Sequence, residues 1–492
     1  MIDLIHRLGR ALAGRRAALV LFLSLVGLTA GAMAHRVAPT PQPISYNPVL
    51  GGNPALTARL SQTKLVQGGP GTVYLDLRID PPAINTPGAA PSATMGRPTD
   101  LVVILDRSGS MSDPRKLPFA KAALLEVLNR LSPADRFALV SFSDGARVDA
   151  PLTPVSPAFK ERLREVVGGL WPAGGTNLGE GMMSALQLLP PVAEGHVRKI
   201  LLLTDGQANV GIADPEGLVA IARQAAQREV ILSAIGMGLG FNESLLAQLA
   251  DHGQGTYAYL ENLEKLAEVL GRDVAEARSS YASGSTIELS GSGIGLVDAG
   301  GYPFTTGDGR IRIATGALVQ GQPKHLVLTL SVPTQNTASF PVGAVRLLVQ
   351  RGLGEEQVAV AEVPGEIAVL AAERRPEALG SVDKDVFTRG VVQNDLGRAK
   401  MKVSELIRDG KKEEAKQAIV TYRKTAELAA GAASVALPAA PMQQAMQSLD
   451  REVDAAFAGG PGQAPAEAQN RVAKKMRSEA RADQRSIEKT TP

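Results

Sequence analysis

Through the middle of the chain, short continuous apolar runs alternate with longer stretches in which apolar residues recur every three or four positions. Leu101–Leu105 is an unbroken apolar run, the pattern of a strand buried on both faces of a parallel sheet. A helix is expected over Arg115–Leu131, with Leu117, Ala120, Leu124, Leu128 and Leu131 on one stripe. Strand Arg136–Phe142, helix Phe159–Val167 and helix Leu178–Leu189 follow. Strand Lys199–Thr204, helix Pro215–Arg228, strand Val230–Ile235, helix Glu243–Ala250, strand Thr256–Leu260 and helix Leu263–Ala277 complete the series. This succession predicts an α/β fold: a doubly wound, Rossmann-like parallel sheet with helices on both faces, spanning 100–280. Such sheets bind ligands beyond the carboxyl ends of their strands, where strand order reverses.

The flanks follow other periods. Thr72–Ile79 alternates, with Val73, Leu75, Leu77 and Ile79 on one face, and Leu60–Val66 is a second strand candidate. After Ser280 come strand candidates at Thr286–Leu289, Arg310–Ile313, His325–Val332, Ala344–Val349 and Gln357–Glu362, divided by Gly- and Pro-rich turns. The expected organisation is a β segment at 56–80, a Pro/Ala/Gly-rich linker at 81–99, the α/β domain, and a β domain at 281–375. The segment at 56–80 would pair with the later strands, so that the α/β domain is inserted into one β-sandwich. A helical region is expected at 376–458, built from Val391–Arg408, Lys411–Ala430 and Met442–Phe457. The residues 459–492 carry few large apolar side chains and read as a flexible tail, or in part as a solvated helix.

At the N-terminus, Arg7, Arg10, Arg15 and Arg16 precede the apolar stretch Ala17–Ala34, which ends Ala32-Met33-Ala34. Residues 1–34 therefore read as a secretory signal peptide or as an uncleaved signal anchor, with a proline-rich linker at 35–55. Either reading places the rest outside the cytoplasm, periplasmic, secreted or membrane-anchored through the N-terminal segment. The chain has 492 residues and no cysteine, so disulfides, thiolate catalysis and cysteine metal clusters are excluded. A net charge of +3 over that length gives no case for nucleic-acid binding.

The chemistry is concentrated at strand ends. Asp106-Arg107-Ser108-Gly109-Ser110 follows the first apolar run, Thr176 lies in Gly174-Gly175-Thr176-Asn177, and Asp205 ends the strand leading to Thr204-Asp205-Gly206. Hydroxyls and carboxylates are oxygen donors, suited to Mg²⁺ rather than to zinc or copper. Each motif alone is a common turn or helix cap. Together, in this order and spacing, they resemble the metal-ion-dependent adhesion site of a von Willebrand factor type A domain. The flanking β blocks resemble bacterial secreted proteins of the calcium-activated chloride channel and inter-α-trypsin inhibitor heavy-chain type. The resemblance implies that Ser108, Ser110 and Thr176 ligate Mg²⁺ (or Mn²⁺ or Ca²⁺) directly, with Asp106 and Asp205 acting through water. It further implies a protein partner presenting an Asp or Glu carboxylate, and coupling of the metal loops to the domain's last helix. The implied class is a metal-dependent binding protein rather than an enzyme. The alternatives are a metal-assisted hydrolase and a scaffold with an unused metal site.

Two other features invite a reading. Gly236-Met237-Gly238-Leu239-Gly240 follows a strand, but its spacing is not that of a dinucleotide loop, so tight turning is the expected role. Trp171, the single tryptophan, lies just before the Gly174 loop and reads as core packing or as a rim contact for a partner.

Overall fold

In the computed structural model, six strands form the sheet of the α/β domain in the order Ala146–Pro154, Arg136–Phe142, Thr99–Asp106, Val197–Thr204, Val230–Met237, Gln254–Leu260. The structure describes residues 52–83 and 96–485, apart from 114, 192–194, 261–262, 292, 352–353, 362, 364–365 and 459–464. The expected signal segment, most of the linker at 35–55, much of the linker at 81–99 and both ends of the expected tail lie outside the described residues.

The three middle strands Thr99–Asp106, Val197–Thr204 and Val230–Met237 are buried along their whole length. Period-2 alternation sends their side chains to opposite faces. Leu101, Val103 and Leu105 pack beneath helices Lys116–Arg130, Pro157–Gly168 and Leu266–Arg278. Val102 and Ile104 pack beneath Leu178–Leu188, Pro215–Gln227 and Glu243–His252. The doubly wound α/β architecture is as expected, with one addition. Ala146–Pro154 pairs antiparallel to Arg136–Phe142 and closes one edge, so the sheet is mixed. It left no apolar run because a solvated edge strand needs none: Ala150 is its one buried residue.

The strand before this domain and those after it share a core. Thr72–Asp80 is antiparallel both to Ala55–Leu60 and to Lys324–Ser331, with Leu77 opposite Ala58 on one side and Leu326 on the other. A second sheet runs Phe304–Gly307, Arg310–Ala314, Ser285–Gly291, Ala338–Arg351, Glu366–Leu370, Lys64–Val66. Leu75 and Leu77 of the first sheet bury against a common core with Ile287, Leu289 and Leu347 of the second. The segment Leu60–Val66 is therefore not one strand. It turns a corner, leaving Ala55–Leu60 in the first sheet and Lys64–Val66 in the second. Buried Ser61 makes the corner, its Oγ accepting from Tyr74 N at 2.9 Å.

Helices Leu396–Arg408, Lys412–Ala433 and Ala439–Phe457 form the C-terminal bundle. It is joined to the first β-sheet by Tyr74, whose ring meets Phe387 edge-on and whose hydroxyl donates to Asp395 Oδ2 at 2.5 Å. The flexible tail requires correction over much of its length. Pro465–Gln484 is a helix packed along Leu396–Arg408, with Ala473, Met476 and Ala480 buried. Small apolar residues at helical spacing, flanked by the aliphatic stems of Lys474 and Arg477, bury a face that a count of large apolar residues misses. Its far end is fixed to the α/β domain by Arg481 and Arg485, both paired with Asp251 at 3.1 Å and 2.6 Å. Among the described residues, no helix is long and apolar enough to cross a membrane.

Candidate metal centre

The carboxyl ends of Thr99–Asp106 and Val197–Thr204 lie side by side at the point where strand order reverses. Asp106 is fully buried at the end of its strand. Its Oδ1 accepts from Ser108 N at 2.8 Å, and its Oδ2 accepts from Thr204 Oγ1 at 2.5 Å. The chain then turns so that Ser108 Oγ lies 3.1 Å from Ser110 Oγ. Ser110 Oγ in turn donates to Asp205 Oδ1 at 2.7 Å.

Thr176 arrives from a third loop, which two contacts align with the first: Gly109 N donates to Gly174 O at 3.0 Å and Ala173 N to Arg107 O at 2.7 Å. Gly174 has φ +71°, and a β-carbon there would stand 2.2 Å from Asp144 Oδ2, so only glycine fits. Asp144 Oδ1 accepts from Gly175 N at 2.7 Å, and Asn209 Oδ1 accepts from Thr176 N at 2.8 Å. The convergence has a geometric measure at Gly206. A β-carbon placed there would lie 3.2 Å from Thr176 Oγ1 and 3.5 Å from both Asp106 Oδ2 and Ser110 Oγ. Oxygens from the Asp106–Ser110 loop and the Thr176 loop thus meet beside the Asp205–Gly206 loop, whose Asp205 Oδ1 accepts from Ser110 Oγ. All five residues singled out in the sequence stand in one cradle.

Ser110 is exposed, whereas Asp106, Ser108, Thr176 and Asp205 are buried, so the cradle has a floor of fixed oxygens and one open side. Burial pushes the Asp106 carboxyl above its ordinary range, opposed by hydrogen bonds from Ser108 and Thr204 and reinforced by the Asp205 charge. Three hydroxyls and two carboxylates make a hard oxygen donor set that fits Mg²⁺, Mn²⁺ or Ca²⁺. Lys116 completes the surroundings. Its Nζ pairs with Asp205 Oδ2 and donates to Ser110 O at 3.2 Å.

Sequence reasoning passed over four contributors. Thr204 was in plain view within the Thr-Asp-Gly motif. Asp144 and Asn209 belong to ordinary-looking turns, and Lys116 lies a full loop away from the residues it touches. Trp171 is 66% exposed, which removes the core-packing reading and leaves it on the loop that carries Thr176. Gly236 serves packing: a β-carbon there would stand 2.3 Å from the Phe241 ring.

Residues 100–272 match the model of the von Willebrand factor type A domain. Over 180 residues the chain is 31% identical to the Escherichia coli (strain K12) protein YfbK, covering 36% of this chain and 31% of that one. Over 256 residues it is 30% identical to the Homo sapiens inter-alpha-trypsin inhibitor heavy chain H4, covering 50% of this chain and 27% of that one. The chain thus spans under a third of these relatives' own length. A solved von Willebrand factor type A structure from Catenulispora acidiphila shares the fold more broadly, at 18% identity. It superposes with a TM-score of 0.62 over 87% of this chain and 97% of the other.

Proposed function

Given that this chain carries a von Willebrand factor type A domain at residues 100–272, we propose that it binds a protein partner through a divalent cation held by that domain. The cradle around Gly206 is the observation that supports this reading. Ser108, Ser110 and Thr176 would hold Mg²⁺ directly, and Asp106 and Asp205 would hold it through water. When bound, the ion supplies a positive charge at an open position, to which an Asp or Glu carboxylate of the partner is attracted. The chain's own residues do the positioning. Thr204 fixes the Asp106 carboxylate, Asn209 and Asp144 fix the Thr176 loop, and Ser110 stands at the open side.

The same geometry favours binding over hydrolysis. Asp106 is engaged by Ser108 and Thr204, and Asp205 by Ser110 and Lys116. A general base must be free to take up a proton, and both carboxylates would instead be held by these donors while orienting the ion's waters. The proposed setting is extracytoplasmic, delivered by residues 1–34, with membrane association resting on whether that segment is retained.

Calorimetric titration of Mg²⁺ and Mn²⁺ into the full chain tests the reading, with Ser110→Ala and Asp205→Ala as controls. Saturable binding by the wild type, lost in both folded variants, is the expected result. Binding that survives in both variants, or is absent from all three proteins, would sink it.

A further inference from the structure

Beside the cradle lies a cavity of about 320 Å³, lined among others by Gln207, Gly240, Glu243, Arg408, Lys474 and Arg477. One wall is the loop after strand Val230–Met237 and the start of helix Glu243–His252. The opposite wall is the end of Leu396–Arg408 and the C-terminal helix Pro465–Gln484. The cavity therefore exists only because the C-terminal helix docks on the α/β domain.

It adjoins the metal centre directly. Gln207 is two residues beyond Asp205, and its Nε2 donates to Gly240 O at 3.3 Å. Gly240 is so close to the cradle that a β-carbon on it would stand 2.8 Å from Asp205 O. Two residues of extended chain span at most about 7 Å, so the Gln207 edge of the cavity lies within that distance of Asp205.

Three cationic side chains line the cavity against one carboxyl. Lys474 Nζ donates to Leu239 O at 3.0 Å and Phe241 O at 2.8 Å, and sits 3.6 Å above the Phe241 ring. It is committed to holding the wall and contributes its field. Arg477 is anchored through Nε to Ser404 Oγ at 2.9 Å, with Glu243 Oε2 3.8 Å from its Nη1. Arg408 is the least committed: among the described residues its Nε donates to the neighbouring Asp409, at 3.2 Å, and its side chain is half-exposed. The N-terminus of helix Glu243–His252 adds positive potential at the same wall. Glu243 is buried, only 6% exposed, and its Oε1 has no hydrogen-bond partner among the described residues. Its carboxyl is pushed up to about 7 by burial, against the pull of Arg477, Lys474, Arg481 and Arg408, so the cavity grows more positive as the pH falls.

We propose that this cavity accepts a second carboxylate from the partner segment whose first carboxylate completes the metal centre, making the partner an acidic segment with two closely spaced acids. The inference rests on the metal-dependent reading above and adds the chemistry of the partner to it. Arg408 makes the direct contact, Arg477 and Lys474 supply the field, and the C-terminal helix becomes part of the binding surface.

The test uses the full chain in Mg²⁺ and blocked peptides with two aspartates separated by one, two or three glycines, each beside its one-aspartate control. Two linked contacts raise affinity without new chemistry at either site. The best two-aspartate peptide is expected to bind at least about tenfold tighter than its control in the wild type. In Arg408→Gln, at a half-exposed position whose change is expected to leave the fold intact, the two are expected to bind alike. Glu243→Gln, which removes the one negative group, should widen the difference. Metal-dependent binding of the control with no gain from the second aspartate, or a gain that persists in Arg408→Gln, overturns the cavity inference alone. Failure of every peptide to bind in Mg²⁺, with Ser110→Ala indistinguishable from wild type, overturns the metal reading and the inference with it.

Discussion

The ammonium of Lys116 is paired with the fully buried carboxylate of Asp205. The same nitrogen donates to Ser110 O at 3.2 Å, so one side chain from the first helix of the α/β domain holds two of the five cradle residues. A lysine here neutralises part of the charge that a divalent cation would meet.

Replacing it should therefore sharpen metal binding. Lys116→Met leaves the Asp106 and Asp205 carboxylates without that counter-charge, and like-charge repulsion toward the incoming ion is relieved. Mg²⁺ affinity measured by calorimetry is expected to rise about tenfold, about 1.4 kcal/mol. An unchanged or weaker affinity would mean that Lys116 supports the cradle instead of opposing the ion.

Thr204 offers a cleaner structural probe, because valine keeps its shape. Thr204→Val removes the donor 2.5 Å from Asp106 Oδ2 and leaves a buried carboxylate one hydrogen bond short. A hydrogen bond to a charged group is worth about 2 kcal/mol. Urea unfolding in metal-free buffer should show a loss of that size, with part of it recovered when Mg²⁺ is added.

Glu243 makes stability depend on pH. Its folded value, about 7, lies above the unfolded value of 4.5, with burial the leading cause. The neutral acid is the form the fold prefers, so this contribution is complete below about pH 4.5 and is lost as the pH rises through about 7. At about 1.4 kcal/mol for each pH unit between those two values, the swing is about 3 kcal/mol as an upper bound. Glu243→Gln should flatten that part of the curve and stabilise the protein more at about pH 8 than at about pH 5. Parallel curves for the two proteins would show that Glu243 stays ionised in the fold.

Trp171 reports on the cradle without a label. It is the single tryptophan, is 66% exposed, and precedes Ala173, whose N–H is bonded to Arg107 O in the Asp106–Ser110 loop. Mg²⁺ should shift its emission in the wild type, with the midpoint found by calorimetry, and leave the emission of Ser110→Ala unmoved. Identical spectra with and without Mg²⁺ in a wild type that binds the ion would mean that the two loops move independently.

Much of this molecule is legible in its sequence. Thr99–Asp106 and Val197–Thr204 announce themselves because a strand covered on both faces must be apolar throughout, and that pattern survives whatever packs on it. Edge strand Ala146–Pro154 and helix Pro465–Gln484 are the opposite case. One faces water along most of its length, and the other buries small residues and the stems of charged ones, so neither carries a strong local signal.

The sequence by itself determined which chemistry the centre could use. Asp106, Ser108, Ser110 and Asp205 are oxygen donors at the ends of buried strands, strand ends in such a sheet face a common crevice, and Thr176 is a further oxygen donor on the loop that opens helix Leu178–Leu188. Tertiary structure alone decided what surrounds them. Lys116 reaches Asp205, Thr204 reaches Asp106, and Lys474 reaches Leu239 and Phe241 across distances in sequence that no local pattern encodes. Charge pairs and hydrogen bonds form between whichever groups the packed core brings together, and the core is built from apolar residues that carry no record of those partners.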